Sequence, residues 1–247
     1  LNRLTDLHSH ILPGVDDGPA NWRQAEELFD RISSVMPRPS VIMATPHVRL
    51  DPRGRPVTLP ASKIGEFAAL VESAARGGLR VGFAAEILLD RRMPSWAEAS
   101  VACFPGTSWL LVELPPRVPL FVATSRIRSV SAMGLKPVLA HPERCSFVRS
   151  DPCRLSRLAS AGACLQVSVR SLVRGSEDLR ETAWEALRSG SCHILASDCH
   201  DKGDLLLPEV EDLVAGRLGR AAWEALTCVN PSLVLADGEP EPIRSAP

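Results

Sequence analysis

The stretch KPVLAHPE, Lys136 to Glu143, passes from apolar to ionisable within a few residues and sets a rhythm that recurs along the chain. Its centre has the character of a buried β-strand, and the amphipathic stretch before it, Val122 to Met133, reads as a helix stopped by glycine. Six other runs share this form: LTDLHSH, SVIMATPH, LRVGFAAE, SWLLVELP, CLQVSV and CHILASD. Helical patterns lie between them over Trp22 to Met36, Ala61 to Arg76, Pro152 to Ala161 and Leu179 to Ser189. Strand alternating with helix predicts a parallel sheet. Near-continuous apolar strands predict helical cover, and seven such units favour an α/β barrel of seven strands over an open, doubly wound sheet.

With 247 residues and 45% hydrophobic content, the chain suits one domain, expected over 1–237. The tail GEPEPIRSAP, 238–247, has the composition of a disordered segment. RLDPRGRPVTLP, Arg49 to Pro60, is too polar and broken for helix or strand. The net charge of -1, from 28 basic and 29 acidic residues, gives no reason to expect nucleic acid or a membrane surface as partner. No run approaches the roughly 20 apolar residues of a membrane helix, and LNRLTDLHSH lacks the apolar centre of a signal peptide. The 7 cysteines are odd in number, without a CxxC pair, and several sit in apolar runs; they suit reduced core residues and a cytoplasmic protein. Tyrosine is absent, so acid–base chemistry must fall to other residues.

Six of the seven strand candidates end in ionisable residues: His8 and His10, His47, Glu86, Glu113, His141, and Asp198 with His200. Only CLQVSVRS does not. In parallel α/β folds the carboxyl ends of the strands gather on one face, so these residues are expected to converge despite their separation in sequence. Side chains alternate across a strand, which lets His8 and His10 reach one ion and joins Asp198 to His200. Asp6 shares the parity of His8 and is placed to orient an imidazole. His193, inside CHILAS, reads as a core or strand-edge histidine without a role.

So many charges could not be buried together without cations. Imidazole and carboxylate ligands without cysteine suit Mn, Fe or Zn, and the number of ligands implies two or three ions. Clustered metals suit phosphate-ester hydrolysis, since they polarise phosphoryl oxygens, generate hydroxide from water and stabilise the leaving oxygen. Arg144, in HPER, is the first candidate to hold the remaining phosphate oxygens.

The ordered set DLHSHILPGVDDG, ATPH, AAEILLD, LLVELP, AHPER and SDCH resembles the PHP (polymerase and histidinol phosphatase) superfamily, in particular its bacterial tyrosine-phosphatase branch associated with capsule and exopolysaccharide synthesis. The motifs run in family order from Asp6 to His200. The resemblance implies a distorted seven-stranded β/α barrel with three metal ions, usually manganese or iron. By motif, it implies His8, His10, Glu86 and Asp198 for the first ion, Glu86, Glu113 and His141 for the second, and Asp17, His47 and His200 for the third. Spacing alone does not choose between Asp16 and Asp17; the match to the second Asp of DDG favours Asp17. Arg144 would steady the phosphoryl group, with Asp198 and His200 part of the catalytic cluster. The implied substrate is a phosphotyrosine protein, usually an autophosphorylating bacterial tyrosine kinase of polysaccharide export.

One departure concerns the loop after SDCH. The family often carries an arginine there, whereas DKGDLLLPEVEDL follows here, leaving Lys202 as a point-charge substitute and Arg49, Arg53 and Arg55 as other sources. Three rival readings remain, beside a PHP nuclease to which the near-neutral net charge gives no support. CLQVSVR, Cys164 to Arg170, fits the cysteine–arginine spacing of thiol phosphatases but has no glycine-rich phosphate loop. A small-molecule phosphatase of the histidinol phosphate type is the nearest competitor among metal hydrolases. A non-catalytic metal-binding regulator is the third.

Overall fold

The computed structural model describes residues 3–48, 71–72, 78–90 and 102–243. Arg49, Arg53, Arg55, the loop to Pro60 and most of the helix expected over 61–76 lie outside them. Among the described residues the strands are β1 (Leu4–Ser9), β2 (Ser40–Ala44), β3 (His47–Val48), β4 (Leu79–Phe83), β5 (Glu86–Leu88), β6 (Trp109–Glu113), β7 (Lys136–Ala140), β8 (Cys164–Ser168) and β9 (Ile194–Ala196). All pairings are parallel, in a three-stranded sheet ordered β1-β2-β4 and a six-stranded sheet ordered β3-β5-β6-β7-β8-β9.

Each of the seven expected runs forms a strand, but two of them break, so the count is nine and not seven. The break in SVIMATPH falls at Thr45 and Pro46. Proline has no N–H to continue a ladder, and Thr45 N instead donates to Ser9 O (2.8 Å). The break in LRVGFAAE falls at Ala84 and Ala85, where Ala84 N still donates to Ala44 O (3.0 Å) while Glu86 N donates to Pro46 O (3.0 Å). Both chains thereby step from the first sheet to the second. Beyond β9, a single parallel bridge, Ser9 to Cys199, meets β1, with Asp198 N donating to His8 O (2.9 Å) and His10 N to Cys199 O (2.8 Å).

The helices are α1 (Trp22–Val35), α2 (Leu120–Ala132), α3 (Ser146–Ser150), α4 (Leu155–Ser160), α5 (Val169–Val173), α6 (Glu177–Arg188), α7 (Glu211–Leu218), α8 (Arg220–Glu224) and α9 (Asn230–Leu235). In α1, Asn21 caps the first turn by accepting from Gln24 N, and Ala25, Leu28, Phe29 and Ile32 form the buried stripe that helical spacing requires. Alternation along the strands divides the core. Trp109, Leu111 and Val138 join one buried cluster, while Leu110, Val112 and Leu139 pack in another that includes the residues of α1 and α2.

The segment expected to be a disordered tail is held over 238–243. Trp109 Nε1 donates to Gly238 O (3.0 Å), Lys136 Nζ lies 2.9 Å from Glu239 Oε1, Asn230 Nδ2 donates to Glu241 O (2.7 Å), and Ile243 N donates to Cys192 O (3.1 Å). Composition missed this because the docking uses mostly backbone groups, with the side chain of Glu239 and the buried Ile243.

His193 is the core residue it was expected to be: its Nδ1 accepts from Leu165 N (3.1 Å), and burial pushes its pKa down from 6.5 to about 4. A neutral native imidazole that protonates when unfolded contributes full stability above pH about 6.5, loses it as pH falls and levels off below about 4. From pH 7 to 4.5 this residue is expected to cost about 2 kcal/mol. His193→Gln should flatten the pH dependence of the unfolding free energy from urea titration by that amount; parallel curves for both proteins would remove the assignment.

Candidate metal centre

The strand ends bring the predicted residues together. His47 and Glu86 are direct register partners across β3 and β5, and Leu88 pairs with Glu113 across β5 and β6. The Nε2 atoms of His8 and His10 face each other at 3.0 Å. Around them Glu86 Oε2 lies 3.3 Å from His8 Nε2, 3.4 Å from His10 Nε2 and 3.1 Å from His47 Nδ1. Glu86 Oε1 lies 3.0 Å from His141 Nε2, and Asp198 Oδ1 lies 3.4 Å from His8 Nε2. Glu113 Oε1 is 3.4 Å from His47 Nδ1. Asp17 Oδ1 stands 3.4 Å from His200 Nε2 and 3.7 Å from both His47 Nε2 and His10 Nδ1. The His10 and His200 rings stack with centroids 4.2 Å apart.

Ligand atoms within 4.8 Å of one another form four overlapping groups: His10, Asp17, His47 and His200; His8, His10 and Asp198; His8, Glu86 and His141; His47, Glu86 and Glu113. Two of the candidate ligands take left-handed backbone conformations, His141 (φ 33°) and Asp198 (φ 55°). Histidine and aspartate are among the few non-glycine types that tolerate this region. The turn re-aims each side chain at the end of its strand.

The donor set fits cations. Glu86 Oε2 is buried and makes no hydrogen bond of normal geometry, although three ring nitrogens crowd it. Such an arrangement suits an ion between the groups better than N–H donors on each ring. Without one, the groups hold each other by charge. Burial opposes ionisation of Glu86 and Asp198, yet neighbouring imidazoles, with Arg144 for Asp198, keep both pKa values well below normal. His10, despite its burial, is raised to about 10 by Asp16 and Glu86. Glu113 is pushed up to about 7, by burial first and then by the charge of Glu86.

Four neutral or undecided positions acquire roles. Asp16 and Asp17 divide the work: Asp16 Oδ2 bonds His10 Nδ1 (2.6 Å) and accepts from His47 N (2.9 Å), while Asp17 faces the histidines. β8, the strand end without ionisable residues, supplies Gln166, whose Oε1 lies 2.8 Å from His8 Nδ1, and Ser168, whose Oγ donates to Asp198 Oδ2 (3.2 Å). The signal for both was polar residues in a continuous apolar strand. Asp6 does not orient a ring. Its Oδ1 accepts from Ser197 N (3.1 Å) and His8 N (3.3 Å), joining β1 to the segment after β9, and burial raises its pKa to about 6.

Arg144 reaches the cluster, with Nη2 bonded to Asp198 Oδ2 and 3.4 Å from Ser168 Oγ. Lys202 does not join it: Nζ pairs with Glu27 Oε2 at 2.6 Å on the surface. A flexible lysine beside an exposed glutamate takes the nearer partner. Cys164 is no nucleophile. It lies at the start of β8, away from the cluster at the strand's other end, and burial holds its thiol pKa well above normal.

The family model described as "Capsular polysaccharide synthesis, CpsB/CapC" matches residues 4–236. The chain belongs to the CpsB/CapC family. Among relatives of this family, the putative tyrosine-protein phosphatase CapC of Staphylococcus aureus is 27% identical over 80% of this chain and 77% of its own length. The tyrosine-protein phosphatase CpsB of Streptococcus pneumoniae is 24% identical over 95% of this chain and 99% of its own. A chain from the crystal structures of YwqE from Bacillus subtilis and CpsB from S. pneumoniae, described there as unique metal-dependent tyrosine phosphatases, superposes with a TM-score of 0.78 at 26% identity, covering 98% of this chain and 100% of that one.

Ions that bind the folded cluster and not the unfolded chain stabilise by mass action, about 2.7 kcal/mol per site at a hundredfold excess over Kd. Exhaustive chelation is therefore expected to lower Tm, with added Mn2+ restoring it. Glu86→Gln should lose more than half of that increment in differential scanning fluorimetry. An increment unchanged by the substitution would remove Glu86 from the centre.

Proposed function

We propose that this chain is a metal-dependent protein-tyrosine phosphatase acting on a phosphorylated bacterial tyrosine kinase of exopolysaccharide or capsule synthesis. The observation that carries it is the convergence of His8, His10, Asp17, His47, Glu86, Glu113, His141, Asp198 and His200 in a chain of the CpsB/CapC family. The proposed barrel is a distorted seven-unit one, in which the bridge from Ser9 to Cys199 approaches closure. His8, His10, Glu86 and Asp198 would hold one ion, Glu86, Glu113 and His141 a second, and Asp17, His47 and His200 a third, with manganese our first choice over iron or zinc. When bound, such ions polarise phosphoryl oxygens and lower the pKa of water.

The chain's own residues would do the rest. Arg144 spends one nitrogen on Asp198 and keeps further N–H donors for a phosphoryl oxygen, so one guanidinium both fixes a ligand and orients substrate. Ser168 shares the restraint on Asp198. The mouth lies on the side of Asp17, whose side chain is 62% exposed, and of His47 at 30%, whereas His8, Glu86 and Asp198 are sealed in the core. A phosphorylated side chain from a second protein would enter there. The seven free cysteines suit the reducing cytoplasm we propose for it. No helix among the described residues is long and apolar enough to cross a membrane.

A panel of phosphotyrosyl peptide, phosphoseryl peptide and histidinol phosphate with added Mn2+ is expected to favour phosphotyrosine. Chelation should abolish turnover and thiol alkylation should spare it; the reverse pattern would overturn the metal mechanism. His8→Ala and Asp198→Asn should each lose nearly all turnover. Preference for histidinol phosphate would move the assignment to a small-molecule phosphatase, and no turnover of any substrate would point to a binding protein.

A further inference from the structure

The two rings of the HxH pair are backed differently. His10 Nδ1 meets a carboxylate, Asp16, whose oxygens are also tied to His47 N and, at 3.1 Å, to Gly18 N. His8 Nδ1 meets a carboxamide. Gln166 is fully buried in β8, its Nε2 donates to Val167 O (3.0 Å), and its Oε1 is thereby turned toward the ring at 2.8 Å. With the amide oriented by that backbone bond, the atom facing His8 is an acceptor. In the neutral ring that would bind a cation, Nδ1 must then carry the proton, and Nε2 presents a lone pair on the side of Glu86 Oε2 and Asp198 Oδ1, at 3.3 and 3.4 Å.

We infer that Gln166 is the positioning residue that selects the ligand nitrogen of His8, and that its neutrality is functional. A carboxylate behind an imidazole raises the ring's strength as a donor, and such outer partners typically affect metal affinity 10- to 100-fold. His10 has one, in the partly buried Asp16. At the fully buried position of His8, where Glu86 and Asp198 already bring two carboxylates, a third would add another charge to desolvate. An amide fixes the tautomer without adding it. This explains why the strand end that lacks ionisable residues still contributes to the centre.

The inference rests on the metal-centre reading, and the test separates the two. In metal-free protein, at a pH high enough to leave His8 neutral beside Glu86 and Asp198, long-range 15N–1H correlation spectra of the histidines are expected to show His8 as the Nδ1–H tautomer in the wild type. Gln166→Met, close in volume and without an acceptor oxygen, should give a mixture of tautomers, and Gln166→Glu should restore the wild-type one. By calorimetric titration with MnCl2, Gln166→Met should bind about 10- to 100-fold more weakly at the inner position, while far-ultraviolet circular dichroism stays that of the wild type. A wild-type tautomer retained in Gln166→Met overturns the inference whatever the metal affinity, as does a lost tautomer in Gln166→Glu should the Met variant not fold. If the wild type itself bound no manganese, the metal reading would fail and the tautomer comparison would still decide the role of Gln166.

Discussion

Glu86 Oε2 is the point around which this structure is arranged. A carboxylate oxygen sealed in the core, without a hydrogen bond of its own, is costly by several kcal/mol unless charge is brought to it. Ring nitrogens of His8, His10 and His47 are brought to it from segments far apart in sequence. The geometry of the sheets follows from that delivery. β3 is only two residues long, yet its register sets His47 directly against Glu86. A continuous β2 would keep its residues in the first sheet; the break at Pro46 moves His47 into the second. Fold and site are therefore one constraint, since the strand breaks that spoil a regular sheet are what bring His47 and Glu86 together.

The parts of the site visible in the sequence were those with a period or a charge. Seven apolar runs gave the strands, and ionisable residues at their ends gave the histidines and carboxylates, because parallel strands share one carboxyl face. Parity correctly joined His8 to His10, whose Nε2 atoms meet. Contacts chosen by three-dimensional proximity alone were not visible. Asp6 has the parity to serve a ring, but the nearest donors are the backbone N–H groups of Ser197 and His8. Lys202 sits in the expected loop, but Glu27 from α1 lies closer than the cluster. Gln166 and Ser168 are neutral, and a search for charged strand ends passes over them. The docking of 238–243 depends on backbone groups that composition does not weigh.

Arg144 illustrates how a motif can conceal a second role. The HPER stretch suggested a phosphate contact, and the structure adds an ion pair to Asp198, shared with Ser168 at the end of β8. Asp198 thus presents one oxygen to the histidines and the other to its supports. The left-handed backbone at Asp198 and at His141 is tolerated because the surroundings over-determine it, Asp198 through Arg144, Ser168 and the bond to His8 O, and His141 through Glu86. Strain at His141 and Asp198, just past the ends of β7 and β9, is the local cost of turning side chains toward a common centre.

Burial grades the centre from inside to outside. His8, His10, Glu86 and Asp198 are sealed, and His141 nearly so, while Glu113, His47 and Asp17 become progressively more accessible. The inner groups are fixed by packing and by the outer partners Gln166, Asp16, Arg144 and Ser168, so their geometry is set before any ligand arrives. The outer groups are held more loosely, with Asp17 on an exposed turn. Preorganisation is strongest where charge must be stabilised without reorganisation, and adaptability is greatest where a partner of variable shape must approach. One carboxylate-centred core can in this way serve a reaction whose chemistry is constant while the surface presenting the phosphate differs.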